Sequence, residues 1–192
     1  MVKVQWSPKV LLYPCPIALV TCIDEKGRPN IITISWIGVA SSEPPMLGLG
    51  IRPNRYSYTC ILQTKEFVVN IPTEKILKKV DFCGITSGKE IDKFSETGLT
   101  PLKSLKVKPP LIKECPVNME CFLRQVTKLG SHHLFLGEVA LVHIDSEILN
   151  EKGCINFVKA FPISYLSGEY WSLGKKLGTH GLSKHGSNSG RK

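Results

Sequence analysis

Apolar residues recur mostly at every second position in this chain, the period of strands and not of helices. From Ile31 to Trp36, Ile32, Ile34 and Trp36 share one face while Ile31, Thr33 and Ser35 share the other, so hydroxyls and peptide groups line one side. Ile17 to Ile23 is rich in β-branched residues and reads as a first buried strand. Asp24 to Gly27 supplies a turn, and Ile31 to Val39 is the partner strand of a hairpin. Beyond the Glu43-Pro44-Pro45 bend, Met46 to Ile51 is a second strand pair's return. Asn54 is then expected to cap a short helix through Gln63, with Tyr58, Ile61 and Leu62 as its apolar stripe. Glu66 to Ile71 returns to strand, and Pro72-Thr73 opens a helix over Glu74 to Phe82. Ser87-Gly88-Lys89-Glu90 has the spacing of a capping box and would start a short turn carrying Ile91 to Phe94.

Gly98 to Pro116, with its prolines and scattered lysines, reads as a long loop. Val117 to Val126 alternates, placing Val117, Met119, Cys121 and Leu123 on one face. Gly130 to His133 makes the turn to Leu134–Ile144, whose nearly continuous apolar sequence predicts burial. Met1 to Leu12 is expected to pack as an N-terminal arm, followed by an extended Tyr13-Pro14-Cys15-Pro16. The aromatic block ending at Gly174 either closes over the core or docks on a second subunit. Many short antiparallel strands with a few small helices predict a mainly β fold, a barrel with excursions, and not β-α-β winding.

At 192 residues the chain suits one domain, expected over residues 1–174, with a basic Gly/Ser-rich tail over 175–192. No apolar run reaches the ~18–20 residues of a membrane helix, and no signal-peptide pattern stands at the start, which predicts a cytoplasmic protein without membrane contact. The formal charge of +9 raises nucleic-acid binding, yet Lys175, Lys176, Lys184, Arg191 and Lys192 carry five of those charges and lack interleaved aromatics. A nucleic-acid partner is therefore not expected. Seven cysteines without C-x-x-C spacing argue against both a disulfide framework and a zinc finger, and predict reduced, structural thiols. Cys15, between two prolines, stands apart from that pattern. Gly48-Leu49-Gly50 fails as a dinucleotide fingerprint because Pro53 takes the third glycine position. The histidines have no ligand partners at metal spacing, and no G-x-S-x-G elbow accompanies any serine.

What remains is Arg52-Pro53-Asn54-Arg55-Tyr56-Ser57-Tyr58, which puts two arginines and several hydroxyls just before a helix. Such a segment presents charge and free N–H groups to a phosphate, beside a strand suited to a flat, partly polar ligand.

The ordered set Pro16 to Thr21, Gly27 to Asn30, Thr33 to Trp36, Pro44 to Met46, Arg52 to Tyr58, Glu66 to Ile71, Asp92 to Phe94 and His133 to Val139 resembles the flavin reductase-like family of FMN-binding split barrels. Gly168 to Gly174 is similar to the ending of its flavoredoxin-like branch. The resemblance implies an antiparallel Greek-key split barrel, a homodimer holding FMN near the subunit interface, and NADH or NADPH as donor. A flavoredoxin-like electron carrier reduced by another protein is the alternative. It also implies site roles. Thr33, Ile34, Ser35 and Trp36 would border the isoalloxazine, and Arg52, Asn54, Arg55 and Ser57 would hold the phosphate with Tyr56 and Tyr58 beside them. Lys93 and Phe94 would close the ring site, and His133 would sit near the flavin or nicotinamide. Hydride transfer needs two stacked rings and excluded water, so the absence of a nucleophile motif is expected.

Overall fold

The computed structural model describes residues 1–184 and is mainly β, so residues 185–192 of the expected tail lie outside the described residues. In chain order the elements are β1 (Cys15–Pro16), β2 (Ala18–Ile23), β3 (Pro29–Ile34), β4 (Ile37–Ser42), β5 (Pro45–Ile51), α1 (Tyr56–Thr64), β6 (Glu66–Ile71), α2 (Leu77–Ile85), α3 (Lys93–Thr97), β7 (Pro101–Leu102), β8 (Leu111–Ile112), β9 (Val117–Leu129), β10 (His132–Ile144), α4 (Phe157–Ala160), β11 (Ile163–Leu166) and β12 (Glu169–Ser172). Seven strands form one antiparallel sheet in the order β3-β2-β6-β9-β10-β5-β4. Sequential hairpins are thus interleaved with long-range pairings, as the Greek-key expectation requires.

The sheet's two edges are consecutive in the chain. The single strand expected over Ile31–Val39 breaks at Ser35 and Trp36, which bend the chain from one edge to the other. The Gly50 N–H donates to the Trp36 carbonyl at 2.7 Å, continuing the β4–β5 pairing past Ile37 and Leu49, and among the described residues no ladder joins the β3 and β4 edges. The barrel is split at that point.

The interior takes alternate residues from nearly every strand, including Ala18, Val20, Leu49, Phe67, Cys121 and Phe135, with Cys60 and Ile61 of α1 as a plug. β2 is buried at every position because its other face, through Leu19, meets a second cluster of Ile31, Val80, Cys83, Phe94 and Ile163. A Cβ at Gly137 would strike the Phe67 ring, so the closest strand-to-strand packing requires glycine there.

Several boundaries differ from expectation. α1 begins at Tyr56 with Arg55 at its N-cap, because the Arg55 N–H closes a turn on the Arg52 carbonyl at 3.1 Å and leaves Asn54 outside the helix. The helix expected from Glu74 starts as a 3-10 turn, and α2 proper continues past Phe82 to Ile85. The helix near residue 93 is capped by Asp92, whose carboxylate accepts the Phe94 and Ser95 N–H groups, while Ser87 only closes a local turn. β10 starts at His132, two residues early, and is not buried throughout: Val142 is 46% exposed in the single chain. The N-terminal arm is exposed at residues 1–12 among the described residues, with Val2 96% and Trp6 69% exposed. Of the two readings for the aromatic block, closure over the core is observed. β1, β11 and β12 form a small sheet that lays Tyr165 and Tyr170 on the second cluster, and the Tyr170 hydroxyl donates to Asp81 at 2.9 Å.

All seven cysteines are free, and five are buried. Burial pushes the Cys83 thiol up to about 11 and that of Cys121 up to about 12, the behaviour of inert core thiols. No helix among the described residues is long and apolar enough to cross a membrane.

Candidate functional site

The split in the barrel opens a cavity. Residues 32–36 form one wall, Gly50, Ile51 and Arg52 at the end of β5 another, and Tyr13, Arg55, His132 and Tyr165 complete a hollow of about 390 Å³. The bend at Ser35 and Trp36, between the ends of β3 and β4, lies along one wall of it. Trp36 stacks on His132 with ring centroids 4.1 Å apart, and the Arg52 Nε donates to His132 Nε2 at 3.3 Å. Thr33 contributes differently from the expectation that its hydroxyl faces a ligand. Its Oγ1 donates to the Val80 carbonyl at 2.5 Å, so α2 uses that hydroxyl.

Ile32 and Arg55 also line a second, smaller cavity of about 150 Å³, so the two hollows are neighbours. It is lined by Asn30, Asn54, Tyr56, Ser57, Cys83, Gly84, Thr86, Ser87, Gly88 and Lys93. No side chain caps α1, and no acidic residue sits in its first turn, so the positive end of the helix faces this space uncompensated. Lys93 is 3% exposed, with Nζ donating to the Ile31 and Cys83 carbonyls at 2.7 Å each. An ammonium has three donors, so one remains for the cavity. Burial lowers the Lys93 pKa, and the Arg55 charge adds to that effect. Asn30 donates from Nδ2 to Ser57 Oγ at 2.7 Å, while its Oδ1 is the one buried side-chain polar atom without a partner among the described residues.

A turn network holds this end of the site in place. Asp24 accepts the Arg28 Nε at 2.7 Å and the Tyr56 hydroxyl at 3.0 Å, tying the β2–β3 turn to the first residue of α1. Although burial opposes its charge, the Arg28 and Tyr56 hydrogen bonds bring the Asp24 carboxyl down to about 2.

Of the residues singled out in the sequence, Thr33, Ile34, Ser35, Trp36, Arg52 and Arg55 line the larger cavity, and Asn54, Arg55, Tyr56, Ser57 and Lys93 the smaller. Lys93 therefore stands at the polar end and not at the ring end. Phe94 belongs to the second core cluster. Tyr58 and His133 bond to each other at 2.8 Å, with their rings edge to face, and line neither of the two cavities. His132, and not His133, lines the larger cavity. The chain reading missed Tyr13, Asn30, His132, Tyr165 and the 84–88 segment. The His-His doublet and the Gly27 to Asn30 turn were visible signals for two of these.

The donors fit a phosphate ester of a polyol attached to a flat ring system. A buried ammonium, an arginine and a free helix terminus suit the phosphate, the orphaned Asn30 oxygen suits a ligand hydroxyl, and the bent 32–36 strand opposite Trp36 suits a ring. Among the described residues no cluster of His, Cys, Asp or Glu could hold a metal ion. A larger cavity of about 690 Å³ lies between residues 155–162 and Leu173–Lys176, away from these groups.

Known proteins are similar to this chain in sequence and in fold. An uncharacterized protein of Aquifex aeolicus is 36% identical over 167 residues, covering 84% of this chain and 85% of its own length. The flavoredoxin of Desulfovibrio vulgaris (Miyazaki F) superposes with a TM-score of 0.90 at 31% identity, over 95% of this chain and all of that one. The flavoredoxin of Methanosarcina acetivorans gives 0.88 at 27% identity, over 95% and 97% of the two chains. The family model described as "Flavin reductase like domain" matches residues 10–174, and this chain belongs to that family.

Proposed function

We propose that the chain binds FMN with its ring system in the larger cavity and its phosphate in the smaller, and that NADH or NADPH reduces it. The observation that carries this reading is that two neighbouring cavities share Ile32 and Arg55 in their linings, one with Trp36, His132 and Tyr165 on its walls and the other with Arg55 and the buried Lys93. Arg52, Asn54, Arg55, Ser57 and Lys93 are the phosphate-side groups, with Tyr56 holding the helix start through Asp24. The backbone of residues 33–36, with Trp36, borders the ring. Tyr58, Phe94 and His133 support this frame from the core side.

When bound, FMN supplies two-electron redox chemistry, accepting a hydride from a nicotinamide. The protein's contribution is to bind, orient and keep water from the ring faces, which is why no acid-base triad is called for. A homodimer with the site near the subunit interface suits the exposed apolar arm and the partly exposed Val142 and Ile144.

The second reading, an electron carrier reduced by another protein, is favoured by the likeness to two flavoredoxins. One anaerobic experiment separates the two. Purified protein is loaded with FMN, freed of excess and mixed with NADH and then NADPH. Retained flavin that bleaches within seconds supports the reductase and names its donor, whereas retained flavin that stays yellow supports the carrier. Protein that retains no flavin overturns FMN as a bound cofactor.

A further inference from the structure

His132 is the side chain, with Trp36, that separates the ring cavity from an apolar hollow of about 340 Å³ on its other side, lined by Ile37, Gly38, Gly48 and Leu134. Its two ring nitrogens are both engaged. Arg52 Nε carries a hydrogen and no lone pair, so it can only donate, and His132 Nε2 at 3.3 Å must be the unprotonated acceptor. The ring proton is then on Nδ1, which donates to Ser131 Oγ at 3.0 Å. The hydrogen-bonding pattern admits only the neutral imidazole.

We propose that His132 is a positioning residue of the ring cavity: as a neutral imidazole it fixes the Arg52 guanidinium and the Trp36 indole as one wall, and its protonation dismantles that wall. This rests on the FMN reading of the cavity. An imidazolium would turn an N–H toward the N–H of Arg52 and set two positive charges against each other. No Asp or Glu lines either hollow to offset them. The remaining titratable or charged neighbours are Arg55, Tyr13 and Tyr165 across the ring cavity, His133 on the same strand, bonded to Tyr58, and Lys128 on β9. None supplies a negative charge near neutral pH. Burial, and then Arg52, hold the His132 pKa below the usual histidine value.

The proposal has two readouts, one of which does not involve flavin. In a W6F/W171F background Trp36 is the sole indole, and both replaced residues are exposed. The emission of Trp36 in the flavin-free protein should change through a one-proton transition below the ordinary histidine pKa of about 6.5. H132Q, which keeps an acceptor but cannot charge, should abolish that transition, and H133Q should retain it. FMN affinity, followed by flavin fluorescence, should weaken about tenfold from about pH 8 to about pH 5 in the wild type, the effect of a one-unit pKa difference between free and bound forms. H132Q should keep only the shallower pH dependence that the FMN phosphate's own titration near pH 6 imposes, and H132A should bind weakly at both values. Identical pH profiles for H132Q and wild type would overturn the proposal. Wild type that binds no FMN at either pH would overturn the FMN reading instead, while the Trp36 emission profile would still decide the role of His132.

Discussion

Lys93 carries a charge at 3% exposure, with no ion-pair partner among the described residues. Burying an ammonium costs several kcal/mol unless something offsets it, and two carbonyls offset only part. A phosphate at the third donor would complete the shell, so Lys93 should distinguish flavins that carry a phosphate from those that do not. Lys93→Met is expected to weaken FMN binding by about 2 kcal/mol, in the range of a charge-assisted hydrogen bond, and to leave riboflavin affinity unchanged. Titrating both flavins against both proteins by fluorescence quenching checks this, and an equal loss for the two flavins would show that Lys93 acts on the fold alone. At this scale part was legible: the Arg52 to Ser57 run stands out by residue type and by its place before a helix, and Arg52, Asn54, Arg55, Tyr56 and Ser57 do line the two cavities. The histidine was not. Starting the strand at Leu134 leaves the doublet in the turn, whereas pairing from His132 onward turns His133 and Phe135 toward Tyr58 and His132 toward Trp36. With a period of two, neighbours in a strand face opposite ways, so a start misjudged by two residues hides which histidine faces the cavity.

Among the elements, β9 shows most plainly what alternation conceals. Its inward residues Met119, Cys121 and Leu123 were readable, but its other face is buried too, and there Glu120 is 0% exposed. The carboxylate accepts the N–H groups of Leu105, Lys106 and Val107 and bonds the His143 Nε2 at 2.6 Å, fastening the long proline-rich loop onto the sheet. Burial works against the charge, yet these bonds outweigh it and lower the Glu120 pKa. The folded-state value thus lies below the unfolded one, so the associated stability is present above the ordinary carboxylate range, about pH 4.3, and is lost as pH falls through the folded value. Glu120→Gln should cost about 3 kcal/mol, since an amide cannot accept all of these donors and places its own N–H groups among them. Urea unfolding at neutral pH measures the loss, and faster hydrogen exchange at the amides of Leu105 to Val107 would localise it. A stability loss below 1 kcal/mol would refute this view of the loop. The sequence could not announce the link, because a glutamate alternating with apolar residues reads as a solvated face and its partners lie 13 to 15 residues away.

For the whole molecule, the mainly β barrel was legible because strand period, turn chemistry and the two proline bends all agree. What the chain alone could not reveal is how its apolar surface is divided between its own core and a partner. The stretch 134–144 is apolar enough to read as fully buried, yet Val142 and Ile144 are 46% and 39% exposed, and Val39 on β4 is 81% exposed. The N-terminal arm repeats the theme: Val2, Val4 and Trp6 alternate with Lys3, Gln5 and Ser7, a one-sided pattern suited to lying on a surface, and all three are exposed among the described residues. The arm leads directly into Tyr13, which lines the ring cavity, so whatever fixes the arm also steadies one wall of the site. A second copy is the partner that the homodimer reading provides. The full chain is therefore expected to sediment as a dimer, and a variant lacking residues 1–12 to shift toward monomer and bind FMN about tenfold more weakly, the equivalent of ~1.4 kcal/mol. Sedimentation velocity at micromolar concentration, paired with flavin titration, tests both halves. A truncated protein that stays dimeric with unchanged affinity would free the arm of any part in assembly or site, whereas a monomer with intact affinity would confine the arm to assembly and leave Tyr13 held by β1 and β11 alone.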